Sequence, residues 1–295
     1  MINIHYQILA VVVIYKINLE ESPTFIALKK LSKESKLKIN LLVYENSVAG
    51  VIPSEDFNQA DDGFASFEYY ADSTNSGIAK PYNYALQKAI ENNIDWLLLL
   101  DQDTQLTPDY FNNLWEAIKV AQKPETVAIV PQIAQVERSK IFSPVVRGKL
   151  FNRPLNAYGF FEVAKMNYLH TINSGMVVST MFLKEIEGFD LRFWLDGLDL
   201  WLFCIIRKQK RNIIVLNTII KHNLSVKSKE YVSLDRYINI LRSEKLLYNE
   251  FWDSRQRFFY IRSLVFRCIK FLFRKGYYAF FVQTSTQLFN CSLNK

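Results

Sequence analysis

Residues 96–104 read WLLLLDQDT, a short apolar run that stops at two carboxylates one residue apart. Such a run is typical of a buried strand, and at its end a strand or a tight turn puts Asp101 and Asp103 on the same side. Two convergent carboxylates suit Mg²⁺ or Mn²⁺, which proteins often hold through one or two carboxylates while phosphates complete the shell. The stretch therefore predicts a metal site for a nucleotide diphosphate. The alternative is a pair of surface aspartates that cap a turn before the helix at Pro108.

The remaining sequence alternates between strand-like and helical patterns. Apolar runs typical of strands lie at residues 8–15, 39–44, 67–70, 96–100, 127–130, 173–178 and 213–216. Apolar residues at helical spacing lie between them, at residues 23–31, 84–90 and 108–121. This alternation predicts an α/β fold with a mostly parallel, Rossmann-like sheet flanked by helices, in which ligands bind at the carboxyl ends of the strands. Residues 132–165 are less regular and predict a loop-rich excursion over the site.

The composition restricts the partners and the compartment. The 295 residues carry a formal net charge of +7 and an isoelectric point near 9.1, which suits nucleic acid, an anionic membrane surface or a phosphorylated substrate. RNA-recognition and zinc-finger patterns are absent, so we expect no nucleic-acid partner. The run at 8–15 is too short to span a membrane, and no other run is long enough. Cys204, Cys268 and Cys291 lack metal-type spacing, which favours a reducing compartment such as the cytoplasm.

Residues 255–275 interleave seven arginines and lysines with large apolar side chains. This composition is typical of an interfacial helix on an anionic membrane surface. The alternative is a helix that packs on the core with its cations pointing outward. The first interpretation predicts peripheral contact with the cytoplasmic face of the inner membrane.

Five short elements occur in a fixed order along the chain. They are IY at 14–15, ENS at 45–47, NSG at 75–77 with Asn83, DQD at 101–103, and SG at 174–175 followed by DGLD at 196–199 and RK at 207–208. With these elements, over residues 8–225, the chain resembles the family 2 glycosyltransferases of the GT-A fold. The resemblance is strongest to their rhamnosyltransferase-like branch, whose metal motif is often DQD.

The resemblance implies an inverting glycosyltransferase that requires Mn²⁺ or Mg²⁺. Its donor would be a nucleotide-diphosphate sugar, dTDP-rhamnose ahead of a UDP-hexose. Its acceptor would be a saccharide or a polyprenyl-linked molecule in capsule, lipopolysaccharide or another cell-surface polysaccharide. The implied organisation is a GT-A catalytic domain at residues 1–228, with a nucleotide-sugar half at about 1–131 and an acceptor half at about 132–228. A basic, aromatic-rich helical extension follows at 229–295.

The resemblance also assigns roles to side chains. The nucleotide-sugar contacts would be Tyr15, Glu45, Asn46, Asn75, Gly77, Asn83, Asp101, Gln102, Ser174 and Gly175. The metal ligands would be Asp101, Asp103 and His222, and the acceptor contacts Trp194 and Asp196. Asp199 is the expected general base, because a helix start keeps a carboxylate ionised and burial would raise its basicity. Asp196 is the alternative base, and helix N-capping is the structural alternative for both aspartates.

Two other functions compete with this interpretation. A sugar-nucleotide nucleotidyltransferase also combines paired aspartates with an α/β sheet, but it needs a glycine-rich loop after the first strand, and residues 15–21 contain no glycine. A non-catalytic, membrane-associated assembly subunit of the same fold is the second alternative. Trp201 and Ile205 keep it open, because they stand where many relatives carry an acidic residue and an arginine.

Overall fold

The computed structural model describes residues 6–48, 63–121, 123–135, 138–147, 152–155, 157–166, 168–222 and 232–293. The strands are β1 (Gln7–Ile14), β2 (Lys38–Glu45), β3 (Ser66–Ala71), β4 (Trp96–Asp101), β5 (Thr126–Gln135), β6 (Arg138–Ser143), β7 (Val145–Arg147), β8 (Asn152–Pro154), β9 (Gly159–Glu162), β10 (Met176–Ser179) and β11 (Asn212–His222). The helices are α1 (Pro23–Ser32), α2 (Ala79–Glu91), α3 (Pro108–Val120), α4 (Thr180–Glu185), α5 (Leu198–Lys208), α6 (Leu234–Leu246), α7 (Ser254–Leu272) and α8 (Tyr278–Leu293). Leu19–Glu21 and Val163–Lys165 form short 3-10 helices, and Leu247–Phe251 forms a π-helical turn.

One sheet organises the first part of the chain. Within the described ranges it contains nine strands in the order β3-β2-β1-β4-β10-β5-β11-β9, with β6 paired to β5. Strands β1, β2, β3 and β4 pair in parallel, as do β5 and β11, while β10 runs antiparallel between β4 and β5. The carboxyl ends of six strands therefore share one edge, which confirms the predicted mostly parallel sheet.

The central strands are apolar throughout because both of their faces are covered. Along β1, Ile8, Ala10 and Val12 join one buried cluster with helices α1 and α3. Leu9 and Val11 join another cluster with α2, α4 and α5. Successive side chains of a strand point to opposite faces, so a strand buried on both sides shows a continuous apolar run instead of alternation.

The loop-rich excursion predicted at 132–165 is wrong for most of its described residues. Strand β5 continues through Pro131 to Gln135, β6 folds back on it, and β7 and β8 form a small hairpin. Proline lacks the N–H that a ladder uses and normally ends a strand. Here the partner strand β11 changes register between Val215 and Ile219, opposite Pro131, so the pairing resumes beyond the proline.

The C-terminal helices have a small core of their own. Tyr237, Leu241, Tyr248, Tyr260 and Leu264 of α6, the π-helical turn and α7 pack together with α8. The predicted basic helix is α7, whose 19 residues follow the N-cap Asp253. The Asp253 side chain accepts a hydrogen bond from the Gln256 N–H. Among the described helices, none is both long and apolar enough to cross a bilayer. The boundary predicted at 228/229 lies outside the described residues.

Candidate active site

The DQD turn is fixed between the end of β1 and the start of α1. The Thr24 hydroxyl donates to the Asp101 carbonyl at 2.5 Å and accepts from the Thr104 N–H at 2.8 Å. The Ser22 hydroxyl donates to the Gln102 carbonyl at 2.7 Å, and the Gln102 side-chain oxygen accepts from the Tyr15 N–H at 2.7 Å. Because every one of these bonds crosses between elements, they hold the backbone of the turn from which both carboxylates project.

Asp101 and Asp103 meet His222 at the carboxyl edge of the sheet. The His222 Nε2 lies 3.8 Å from an Asp101 oxygen, and its Nδ1 lies 3.3 Å from an Asp103 oxygen. The Ser174 hydroxyl donates to Asp101. Burial and the neighbouring charge of Asp101 raise the pKa of Asp103, although His222 acts in the opposite direction. Both carboxylates keep about a third of their side-chain surface exposed, so a ligand can reach them.

The chemistry of these donors fits a divalent cation that is shared with a phosphate ligand. Two carboxylates and one imidazole are ligands that Mn²⁺ accepts, and Mg²⁺ is commonly bound by one or two carboxylates plus substrate phosphates. Within the described part of the chain, no group of three or more His, Cys, Asp or Glu side chains is placed to hold a metal ion. An ion at this edge of the sheet would depend on ligands beyond these side chains, such as the oxygens of a diphosphate.

The loop before α2 docks tightly on the segment before α5. Gly77 has φ +80°, and a Cβ there would lie 1.9 Å from the Trp194 carbonyl oxygen, so only glycine fits. The same carbonyl accepts from the Ile78 N–H at 2.7 Å, and the Trp194 indole donates to the Asn75 carbonyl at 3.0 Å. Asn46 joins β2 to this loop, because its amide donates to the Gly77 carbonyl at 2.8 Å.

Two further predicted nucleotide-sugar contacts have their polar atoms engaged inside the protein. The Asn83 side chain donates to the Phe189 carbonyl at 2.8 Å and accepts from the Phe189 N–H at 2.7 Å. Glu45 is fully buried, and its carboxylate accepts from the Ser47 N–H at 2.8 Å. In this arrangement both side chains, like Asn46, hold loops in place around the edge of the sheet.

Gly175 lies where β10 approaches β4 and β11. Its φ is +74°, and a Cβ there would meet Ile220 at 2.6 Å. Its carbonyl accepts from the buried Tyr110 hydroxyl at 2.8 Å. The glycine thus allows Ser174 to lie against Asp101.

Asp196 and Asp199 have different environments although they are three residues apart. Asp196 is paired with Arg236 of α6, with a nitrogen–oxygen distance of 3.2 Å. Burial, together with the charges of Asp196 and Asp101, raises the pKa of Asp199 to about 6, against the effect of the Leu200 N–H bond. The N-cap of α5 is Gly197 at φ +89°, so neither aspartate is the N-cap residue, although the Asp199 carboxylate accepts from the Leu200 N–H of the first turn at 2.8 Å.

Sequence reasoning missed two residues of this region. The Tyr82 hydroxyl of α2 is buried and has no hydrogen-bond partner among the described atoms. Burial raises its pKa, and the charges of Asp101 and Asp199 act on it in the same direction, so the phenol lies near both carboxylates. A tyrosine at an apolar helical position is usually core, and the sequence carries no signal that separates these cases. The Arg236 partner of Asp196 lies 40 residues away along the chain and carries no motif either.

Comparison with known proteins identifies the fold. No protein-family model and no curated protein sequence matches the chain. The structure of S. aureus TarS aligns with a TM-score of 0.56 at 14% identity over 91% of this chain, which spans 44% of the TarS chain. TarS 1–349 in complex with UDP-GlcNAc aligns with a TM-score of 0.57 at 15% identity over 97% of this chain and 79% of that one. GalNAc-T7 with UDP, GalNAc and Mn²⁺ aligns with a TM-score of 0.51 at 11% identity over 96% and 55%. At these identities the likeness establishes the architecture alone, and the chain has the GT-A fold.

Proposed function

We propose that this protein is an inverting glycosyltransferase that moves a sugar from a nucleotide-diphosphate donor to an acceptor hydroxyl. The observation that supports it most directly is the meeting of Asp101, Asp103 and His222 at the carboxyl edge of the sheet, with the Ser174 hydroxyl donating to Asp101. The raised pKa of Asp199, to which the charge of Asp101 contributes, supports a general base near this carboxylate pair. TarS 1–349 with UDP-GlcNAc and GalNAc-T7 with UDP, GalNAc and Mn²⁺ support a nucleotide-sugar donor for this fold.

Asp101, Asp103 and His222 would hold Mn²⁺ or Mg²⁺ in this proposal. A bound ion would supply Lewis-acid stabilisation of the leaving diphosphate. Ser174 orients Asp101 through its hydrogen bond, and Gln102 anchors the turn through the Tyr15 N–H.

Asp199 would take the proton of the acceptor hydroxyl. The acceptor oxygen forms a bond to the anomeric carbon while the bond from that carbon to the diphosphate breaks, and the nucleoside diphosphate leaves. A base with a pKa near 6 is largely ionised at neutral pH and still basic enough to accept a proton. Asp196 is committed to Arg236, which makes it a positioning or acceptor-binding group in preference to the base.

The donor sugar has two candidates. The DQD resemblance favours dTDP-rhamnose, whereas the UDP and UDP-GlcNAc complexes of the structural neighbours favour a UDP-hexose. A saccharide or lipid-linked acceptor in cell-surface polysaccharide synthesis agrees with the basic, apolar helix α7. Phe258, Phe266 and Phe273 are 64, 60 and 83% exposed, which supports contact of this face with a membrane surface. Tyr260 and Leu264, on the other face of α7, pack in the core of the C-terminal helices.

A thermal-shift panel with dTDP-rhamnose, UDP-GlcNAc and UDP-glucose, each with and without Mn²⁺, tests the proposal. A donor at a hundred times its dissociation constant stabilises by about 2.7 kcal/mol. For a chain of this size that raises Tm by roughly 4 °C. Hydrolysis of the stabilising donor would identify an enzyme over a scaffold. If no nucleotide sugar raises Tm and none is hydrolysed, the proposal fails. Release of pyrophosphate from a mixture of a nucleoside triphosphate and a sugar phosphate would instead identify a nucleotidyltransferase.

A further inference from the structure

The segment at residues 190–197, which precedes α5, lies between two parts of the molecule. On one side it contacts the loop before α2, because the Trp194 carbonyl accepts from the Ile78 N–H and the Trp194 indole donates to the Asn75 carbonyl. On the other side it contacts α6 and the π-helical turn. The proposed base, Asp199, follows this segment on the first turn of α5. The position of the segment therefore determines how Trp194 and Asp199 are placed relative to the predicted nucleotide-sugar loop.

Two contacts join the start of this segment to the π-helical turn. Arg192 pairs with Glu250 at 2.8 Å, and the Phe193 ring lies 6.3 Å from the Phe251 ring. The two charged side chains are 53 and 44% exposed, and exposed ion pairs contribute little to stability. Phe193 is buried, so packing is the main contact at this end of the segment.

Two further contacts join the end of the segment to α6. Gly197 packs so closely on this helix that a Cβ at Gly197 would lie 3.2 Å from the Ser243 Cβ. Asp196 forms a bidentate pair with Arg236, whose Nη2 and Nε lie 3.2 and 3.4 Å from the two carboxylate oxygens. The side chains of Arg236 and Asp196 are 26 and 19% exposed, so solvent screens this pair less than the Arg192 pair.

The pair with Arg236 restricts both the position and the direction of the Asp196 side chain. A planar guanidinium that contacts both oxygens of a carboxylate fixes their relative geometry, which a single contact does not. Asp196 lies three residues before Asp199, and its charge acts on the Asp199 carboxyl. A movement of Asp196 would therefore change the surroundings of the proposed base as well as the course of the chain that leads into α5.

We propose that Arg236 is a positioning residue of the site: it holds Asp196, and with it residues 190–197, in the arrangement that presents Asp199 to the acceptor. The inference rests on the proposed function and adds a helix outside the sheet to the site. It gives α6 a role in turnover that is separate from any contact of α7 with a membrane.

Steady-state hydrolysis of UDP-GlcNAc or dTDP-rhamnose with Mn²⁺, whichever donor stabilises the protein, tests the inference with water as the acceptor. Arg236→Gln should lower kcat by about tenfold to a hundredfold, the effect of a small misplacement of reacting groups, while the donor KM changes less than about twofold. The matched control is Arg242→Gln, because Arg242 lies on the same helix, is exposed and bonds Asn239 within that helix. The control should change neither constant. A folded Arg236→Gln protein with the kcat of the unmodified protein overturns the inference.

Two more variants of Arg236 separate positioning from folding. Arg236→Lys keeps the charge but cannot form both bonds, so it should recover part of the lost kcat. Arg236→Met keeps the aliphatic part of the side chain and replaces Arg236→Gln in the test if that variant does not fold. A loss of kcat that occurs only together with a lowered Tm and a raised KM, in every variant of Arg236, overturns the inference.

Combination with Asp196→Asn shows whether Arg236 acts through Asp196. The double variant Asp196→Asn, Arg236→Gln should have about the kcat of Asp196→Asn alone, because the pair is already disrupted. If the two losses multiply, Arg236 acts through another group and the inference is overturned.

A measurement without a donor separates this inference from the proposed function. The chain has five tryptophans, and fluorine NMR of the protein labelled with fluorotryptophan should give a signal for each. Arg236→Gln should shift or broaden the Trp194 signal, assigned with Trp194→Phe, and leave the signal of Trp115 in α3 unchanged. An unchanged Trp194 signal overturns the inference and leaves the glycosyltransferase in place. If the unmodified protein binds no nucleotide sugar, the proposed function fails, and the inference fails with it.

Discussion

Replacement of Asp199 by asparagine should lower turnover and raise stability together. The amide cannot accept the acceptor proton, so kcat should fall by roughly two to four orders of magnitude, the usual effect of a positioned general base. That range corresponds to about 3–5 kcal/mol of transition-state stabilisation. Donor binding should be nearly unchanged, because Asp199 is not one of the groups proposed to contact the diphosphate.

The stability effect follows from the raised pKa. Asp199 has a pKa of about 6 in the folded protein, against an ordinary value of 3.8, so between these values the folded state binds more protons than the unfolded one. The free energy of unfolding therefore falls as the pH rises from about 4 to 6 and stays lower above that window. At about 1.36 kcal/mol for each pKa unit, the ionised carboxylate lowers stability by up to about 3 kcal/mol at pH 8. Asp199→Asn removes this penalty.

Two measurements check the reasoning. Urea unfolding at pH 5 and pH 8 should show a smaller decrease in unfolding free energy for Asp199→Asn than for the unmodified protein. The kcat of the unmodified enzyme should rise with pH through about 6 and then level off, because the base must be ionised. A variant that is active but unstable would identify Asp199 as a structural aspartate. If Asp196→Asn loses turnover and Asp199→Asn does not, the two roles are exchanged.

Three further predictions follow from the site and the C-terminal helices. Asp103→Ala should abolish transfer and the Mn²⁺-dependent part of nucleotide binding, which titration with and without the metal measures. Substantial residual transfer by this variant would show that the metal binds elsewhere. Tyr82→Phe removes a fully buried hydroxyl that has no partner in the described structure, so Tm should stay equal or rise. A lowered Tm in thermal unfolding would show that the hydroxyl stabilises the fold. The protein should co-sediment with liposomes only when they contain anionic lipid, and the binding should weaken as salt is raised, since each lysine or arginine near such a surface contributes about 1 kcal/mol. If the protein stays in the supernatant at low salt and unfolds when residues after 255 are deleted, the role of α7 is to stabilise the core.

Local sequence determined the elements of this protein because their signals lie within a few residues. Strands β1 and β4 are continuous apolar runs, which identified a sheet covered on both faces. The abrupt change from leucine to Asp101 placed two carboxylates at a strand end, where parallel sheets bind ligands. The sequence predicted Gly77 as a nucleotide-sugar contact, whereas the close approach of its backbone to Trp194 is visible only in the structure.

The tertiary structure decided the environment of each site residue. Asp196 and Asp199 are the same residue type in the sequence. Only the folded structure pairs Asp196 with Arg236 of a distant helix and buries Asp199, which raises the pKa of Asp199 to about 6. The continuation of β5 through Pro131 depends on a register change in β11, more than 80 residues later. Charge, burial and pairing depend on distances in space, and a sequence records only distances along the chain.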